Sequence, residues 1–211
     1  MRKNIILFDL DGTILDGSLK YYKIYCELLR EKKYEPLSFN KYWSLKRSHT
    51  PISIIISKTC SFEFSKKYIK KRLRIIEDRK YLTQDRVIRG AKKTLEKLSL
   101  FYSLVLITLR ANRNQLLFQL KRLNLLNYFE HILSGSSGNN PIYAKKSLLK
   151  RFSELKRAIL IVGDTEADIR AGKSLFLKTC AVLSGIRNKN LLDKEKPDHI
   201  ITDITAVPNI L

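Results

Sequence analysis

Apolar residues in this chain follow two periodicities, and their alternation sets the expected architecture. Unbroken apolar runs rich in branched side chains at residues 5–8, 104–107 and 158–162, with shorter ones at 129–134, 179–183 and 199–201, read as buried strands. Between them apolar residues recur every third or fourth position, the signature of amphipathic helices. Leu95 and Leu98 mark a helix over 91–98, and Leu116, Leu117, Leu120 and Leu123 mark one over 112–125. Two more are expected over 145–152 and 167–174, with a Gly-, Ser- and Asn-rich loop at 135–141 before the first of them.

From residue 18 to about 87 no buried-strand signal occurs. Ser18 can cap a helix running to about residue 33, with Leu19, Tyr22, Tyr25 or Cys26, and Leu29 on one face. A break at 35–38 precedes a short helix over 39–47. Pro51 suits the first turn of a third helix that carries Ile54-Ile55-Ile56, a triplet that also fits a strand. Residues 62–80 read as one long, basic helix with Tyr68, Ile69, Leu73 and Ile76 on one side. Strands alternating with helices predict an α/β fold: a doubly wound, Rossmann-like parallel sheet, residues 1–17 and 88–211, carrying an inserted all-helical cap, residues 18–87.

Composition narrows the class. At 211 residues, with 44% apolar and 9% aromatic side chains, the chain can bury a core of ordinary size. Its longest apolar runs are about five residues, far below the ~20 of a membrane-spanning helix. Arg2-Lys3 precede a run that Asp9 and Asp11 interrupt, so the N-terminus reads as part of the fold and not as a signal peptide. Cys26, Cys60 and Cys180 are odd in number and widely spaced, which fits a reducing cytoplasm and neither a disulfide framework nor a zinc site.

The formal charge is +21, and +15 of it lies in residues 51–150. The densest stretch is Lys66-Lys67-Tyr68-Ile69-Lys70-Lys71-Arg72-Leu73-Arg74. A solvated helix face is favoured over a nucleic-acid footprint, because no aromatic stacking platform or binding motif accompanies the charge. Such a surface still attracts anionic substrates.

The candidate chemistry sits at strand ends. Asp9-Leu10-Asp11-Gly12-Thr13 follows the first strand, Thr108 ends the second, and Gly163-Asp164 ends that at 158–162, with Asp168 four residues on and Lys145 and Lys146 upstream. In an open parallel sheet these ends converge on one crevice. Each residue has a plainer reading alone: turn and cap for Asp11-Gly12-Thr13, helix cap for Asp164, solvated positions for Asp168 and the lysines. Between the lysines, Leu148 and Leu149 bury the helix face that turns Lys145 to the crevice.

Taken in order, Asp9-Leu10-Asp11-Gly12-Thr13, Thr108, Lys145 and Gly163-Asp164-Thr165-Glu166-Ala167-Asp168 resemble the four motifs of the haloacid dehalogenase-like hydrolases, over nearly the whole chain. The resemblance is to the phosphatase branch with a helical first-type cap, as in phosphoglycolate phosphatase-like proteins. It implies Asp9 as nucleophile, forming an aspartyl-phosphate, and Asp11 as general acid and then general base. It implies Mg²⁺ held by Asp9, the Asp11 backbone carbonyl and Asp164, with Asp168 in the outer shell. Thr108, the Leu109 amide and Lys145 would bind the phosphate.

Physical chemistry agrees with those roles. Phosphoryl transfer has a loose transition state in which positioning and charge neutralisation outweigh nucleophile strength. Four ionised aspartates would repel a phosphate dianion. A divalent cation, Lys145 and a proton on Asp11 bring the site to neutrality. A second Asp in the first motif argues for phosphate over halide chemistry.

The expected function is therefore Mg²⁺-dependent hydrolysis of a small phosphorylated metabolite. A phosphomutase, a phosphatase of nucleotides or nucleic-acid ends, and a non-catalytic binding protein are the alternatives. Arg110, beside the phosphate subsite, is expected to contact substrate or cap. In the cap Tyr42, Trp43, Lys46 and Arg47 are candidate substrate contacts, with a place in the cap core favoured for Tyr42 and Trp43.

Overall fold

The computed structural model describes residues 2–57 and 60–211. Six strands, β1 (Ile5–Phe8), β2 (Ser103–Thr108), β3 (His131–Ser134), β4 (Ala158–Gly163), β5 (Lys178–Val182) and β6 (His199–Ile201), form one parallel sheet in the order β3-β2-β1-β4-β5-β6. The central strand β1 is buried throughout, and its side chains alternate between two apolar layers. Ile6 and Phe8 join Leu104, Leu106, Leu160 and Val162, whereas Ile5 and Leu7 join Val105, Ile107 and Ile161. Burial on both faces is why these strands read as continuous apolar runs.

By its contacts the chain divides into two compact units, residues up to Asp16 with Val87–Leu211, and Gly17–Arg86. The second unit is helical: α1 (Ser18–Arg30), α2 (Phe39–Arg47), α3 (Ile52–Ser57), α4 (Phe62–Ile75) and α5 (Arg79–Leu82). Its core is aromatic. Tyr25 stacks on Tyr42 at 4.5 Å between centroids, and Tyr42 is fully buried. A buried ion pair, Lys20 to Asp85 at 2.8 Å, joins the beginning and the end of the unit.

Several elements depart from the sequence expectation. The 62–80 helix is two, parted at residues 76–78, where Asp78 takes extended backbone angles at the N-cap of α5. Ser18 is the first residue of α1, and Gly17 occupies the N-cap position. The isoleucine triplet is helical, within α3.

In the sheet unit α6 (Ala91–Ser99), α7 (Arg113–Arg122), α8 (Pro141–Lys150), α9 (Glu166–Lys173) and α10 (Lys189–Lys194) connect the strands or follow them. Helix α8 begins four residues earlier than periodicity suggests: the Asn140 side chain accepts from Tyr143 N at 3.0 Å, and Pro141 opens the first turn. Residues 129–134 are a strand only from His131, after a short 3₁₀ turn at Leu126–Tyr128. The order of strands reverses between β1 and β4, the switch point where open parallel sheets leave a crevice, and both motif aspartates follow those two strands. Among the described residues no helix is long and apolar enough to cross a membrane.

Candidate active site

Strand register brings the acidic clusters together. Phe8 lies beside Val162 and Leu106, and Asp9 N donates to Val162 O at 2.9 Å, so the carboxylates after β1 and β4 share one lip of the sheet. Thr108, buried, ends the neighbouring strand on the other side of β1. Leu109, half-buried, follows it.

Lys145, on α8, is the hub. Its ammonium donates to Asp9 Oδ1 at 2.6 Å and to Asp168 Oδ1 at 2.5 Å, and only 3% of its surface is exposed. Lys146 is half-buried and takes no part in these bonds. The apolar side of α8 explains the choice: Leu149 is fully buried against the layer that contains Ile5 and Leu7, and Leu148 packs on the same cluster. Asp168 is fixed from its other side, Oδ2 accepting from Thr165 Oγ1 at 2.8 Å and Thr165 N at 3.2 Å. This capping box opens α9 and points the Asp168 carboxylate back to Lys145.

Asp164, 1% exposed, accepts from Ile186 N at 2.7 Å through Oδ2. Two glycines make room for it. A methyl group at Gly12 would lie 2.3 Å from that oxygen and one at Gly185 would lie 1.9 Å away, distances no side chain tolerates. Gly12 also has φ +89°, a left-handed conformation suited to glycine.

Arg110 occupies a place the sequence does not disclose. Its guanidinium forks onto Asp11, Nε to Oδ2 at 2.7 Å and Nη2 to Oδ1 at 2.6 Å. This fork ties Arg110 to the second aspartate of the first motif. Arg47 ends α2 in the helical unit, and Tyr42 belongs to that unit's core. His131 packs edge-on against Phe152, outside the cluster. The residues that sequence reasoning missed lie after β5: Ser184, Gly185 and Ile186 carry no chemistry of their own, and only a Ser-Gly turn after an apolar run marks them.

Electrostatics follow from burial. Desolvation pushes the Asp9 carboxyl up to about 7; Lys145 pulls it down, while Asp168 and Asp11 add to the rise. Burial also raises Asp164 well above the usual carboxylate range, with Asp9 and Asp168 contributing, against the Ile186 amide and Lys145. For Lys145 burial works against the charge, but Asp168 and Asp9 outweigh it and hold the ammonium above its ordinary value. Fully ionised, Asp9, Asp11, Asp164 and Asp168 would exceed Lys145 and Arg110 by two negative charges, and the raised carboxyls of Asp9 and Asp164 relieve that excess by holding protons. Among the described residues no three His, Cys, Asp or Glu side chains gather as a ready-made metal cluster.

Residues 6–182 match the model of the haloacid dehalogenase-like hydrolases. The chain belongs to this family. A protein of Aquifex aeolicus named "Phosphoglycolate phosphatase" is 29% identical over 212 positions, covering 94% of this chain and 92% of its own. A protein of Caldanaerobacter subterraneus named "Putative pyrophosphatase PpaX" is also 29% identical, covering 100% and 96%. Among solved structures, a haloacid dehalogenase-like family hydrolase from Streptococcus pneumoniae superposes with a TM-score of 0.78 at 19% identity, covering 99% of this chain and 98% of that one. It shares the Rossmann-like fold. The chain is a hydrolase of the haloacid dehalogenase-like family.

Proposed function

We propose that this hydrolase is a Mg²⁺-dependent phosphatase of small phosphate monoesters, with Asp9 as nucleophile. One observation carries the reading: a buried nucleophile-competent carboxylate at the switch point is held 2.6 Å from a buried lysine, within a cluster of four aspartates that, once ionised, exceed Lys145 and Arg110 by two charges. A hard divalent cation with oxygen ligands supplies that difference and suits the donors present, Asp9, Asp164 and the Asp11 carbonyl. When bound, it neutralises phosphate charge and screens the two carboxylates from each other.

The chain's own groups do the rest. An Asp9 oxygen attacks phosphorus as the ester P–O bond breaks, leaving an aspartyl-phosphate and an alcohol. Asp11 supplies the proton that the departing oxygen needs. It then takes a proton from the water that hydrolyses the acyl-phosphate and returns Asp9 as a carboxylate. Both steps need Asp11 to exchange its Arg110 partner for the reacting oxygen, so the Arg110 fork must open or slide as substrate enters. Lys145 keeps Asp9 oriented and, with Thr108 and the Leu109 amide, meets the phosphate oxygens. The outward face of α4, where Lys66, Lys67, Lys70 and Arg74 are exposed, supports a second reading in which the substrate is a nucleotide or an oligonucleotide end.

Phosphate release from a panel of phosphorylated metabolites, with Mg²⁺ or with chelator, tests the proposal. Turnover of small monoesters that chelator abolishes is the expected result. Activity only on oligonucleotide ends, falling steeply with salt, favours the second reading. Turnover untouched by chelator overturns the metal requirement.

A further inference from the structure

We propose that Arg187 is a positioning residue for Asp164, acting through the turn that follows β5. The inference rests on the reading of Asp164 as a metal-holding carboxylate and concerns what aims it. Ser184 Oγ donates to the Gly12 carbonyl at 2.7 Å, which ties the turn to the first motif. Ile186 N grips Asp164 Oδ2 at 2.7 Å, and Gly185 lets the turn's backbone lie directly against the same oxygen. Asp164 Oδ1 has no hydrogen bond among the described residues, so the carboxylate is held by one oxygen and presents the other.

An ion pair also anchors the turn. Arg187, 9% exposed, forks onto Glu166, with Nε to Oε2 and Nη2 to Oε1 both at 2.7 Å. Glu166 is the first residue of α9, two positions beyond Asp164. The pair therefore links the backbone that carries Asp164 to the backbone that holds its side chain, closing a short ring: Asp164 to Glu166 along the chain, Glu166 to Arg187 by the fork, and Ile186 back to Asp164 by the amide. A planar two-point fork resists rotation, which a single lysine contact does not. Without it the turn can slide, the amide loses its aim, and the free oxygen of Asp164 no longer has a fixed direction. Groups that orient a metal ligand in this manner typically influence affinity by about 10- to 100-fold.

Calorimetric titration of Mg²⁺ and Mn²⁺ into the intact wild-type chain and the variants Arg187→Ala, Arg187→Lys, Glu166→Gln and Glu166→Gln with Arg187→Ala tests this, alongside phosphatase assays across metal concentration. Each single loss should weaken ion binding about 10- to 100-fold. The double variant should be no weaker than the worse single, because both break the same link. Arg187→Lys should lie between wild type and Arg187→Ala. In assays the loss should appear as a higher metal requirement and largely vanish at saturating Mg²⁺. Circular dichroism checks folding; if Arg187→Ala does not fold, Glu166→Gln, which keeps shape and removes only charge, carries the test. Variants that bind the ion as the wild type does, or single effects that add in the double, overturn the role of Arg187 alone. A wild type that binds neither ion overturns the metal reading and this inference with it.

Discussion

Arg110 closes a two-point fork on Asp11, with its nitrogens 2.7 and 2.6 Å from the two carboxylate oxygens. The pair places a positive charge beside the carboxyl that must carry a proton when it acts as general acid, so Asp11 has to leave Arg110 before it can donate. Replacing Arg110 by Ala removes bonds to a charged group, a loss of about 1.5–3 kcal/mol in urea denaturation, and lowers kcat/KM. Arg110→Lys should restore part of the activity and little of the stability, since an ammonium cannot span both oxygens. An Arg110→Ala enzyme with wild-type kinetics would detach this pair from the reaction.

Asp9→Asn should abolish phosphate release from an aryl phosphate, by at least about a thousandfold, while circular dichroism stays native. The amide keeps the shape of the side chain and removes the nucleophile. Near-full activity in this variant would refute the assignment.

The two adjacent lysines should differ sharply. Lys145→Met leaves Asp9 and Asp168 buried without their common partner and should cost about 3–5 kcal/mol, together with activity. Lys146→Met, at the next position of α8 and outside these bonds, should stay within about 0.5 kcal/mol of the wild type in the same denaturation series.

The raised carboxyl of Asp9 has a signed consequence for pH. Folded, Asp9 holds its proton up to about 7, against 3.8 ordinarily, and Asp164 is raised in the same direction. The folded state therefore binds more protons than the unfolded one across that window. The contribution of these two carboxyls to the stability of the metal-free protein is fullest below about 4 and is lost as pH rises through about 7, by an amount of the order of a few kcal/mol. Melting curves without metal should drop between pH 5 and pH 8, and Mg²⁺ should raise the melting temperature more at pH 8 than at pH 5. Flat melting temperatures, or a larger effect of Mg²⁺ at pH 5, would contradict the cluster as described.

Gly185→Ala should strain the site through the Asp164 carboxylate. Its methyl would sit 1.9 Å from Asp164 Oδ2. Either the turn or the carboxylate must move, at a cost of about 1–3 kcal/mol in denaturation and with a higher Mg²⁺ requirement in assay. An unchanged metal requirement would show that Asp164 tolerates displacement.

Much of this was legible along the chain. Strands buried on both faces leave unbroken apolar runs, and helices against a sheet leave a 3.6-residue period. These local patterns dictated the alternating α/β core, the helical insertion and the placing of Asp9, Thr108 and Asp164 at strand ends. Even the preference for Lys145 over Lys146 came from the leucines one turn further along α8. Helix ends were less legible, because a cap depends on one side chain's geometry: Asn140 starts α8 where composition suggested a loop, and Asp78 divides the long basic stretch in two.

What the sequence determined by itself was which residue types stand at the ends of which elements, since periodicity and turn chemistry act over a few positions. Tertiary structure alone decided the partners: Arg110 with Asp11, Arg187 with Glu166, and the Ile186 amide with Asp164. Those contacts join segments 99, 21 and 22 residues apart, so no local pattern encodes them. They follow from strand order and from the close approach of backbone that Gly12 and Gly185 permit.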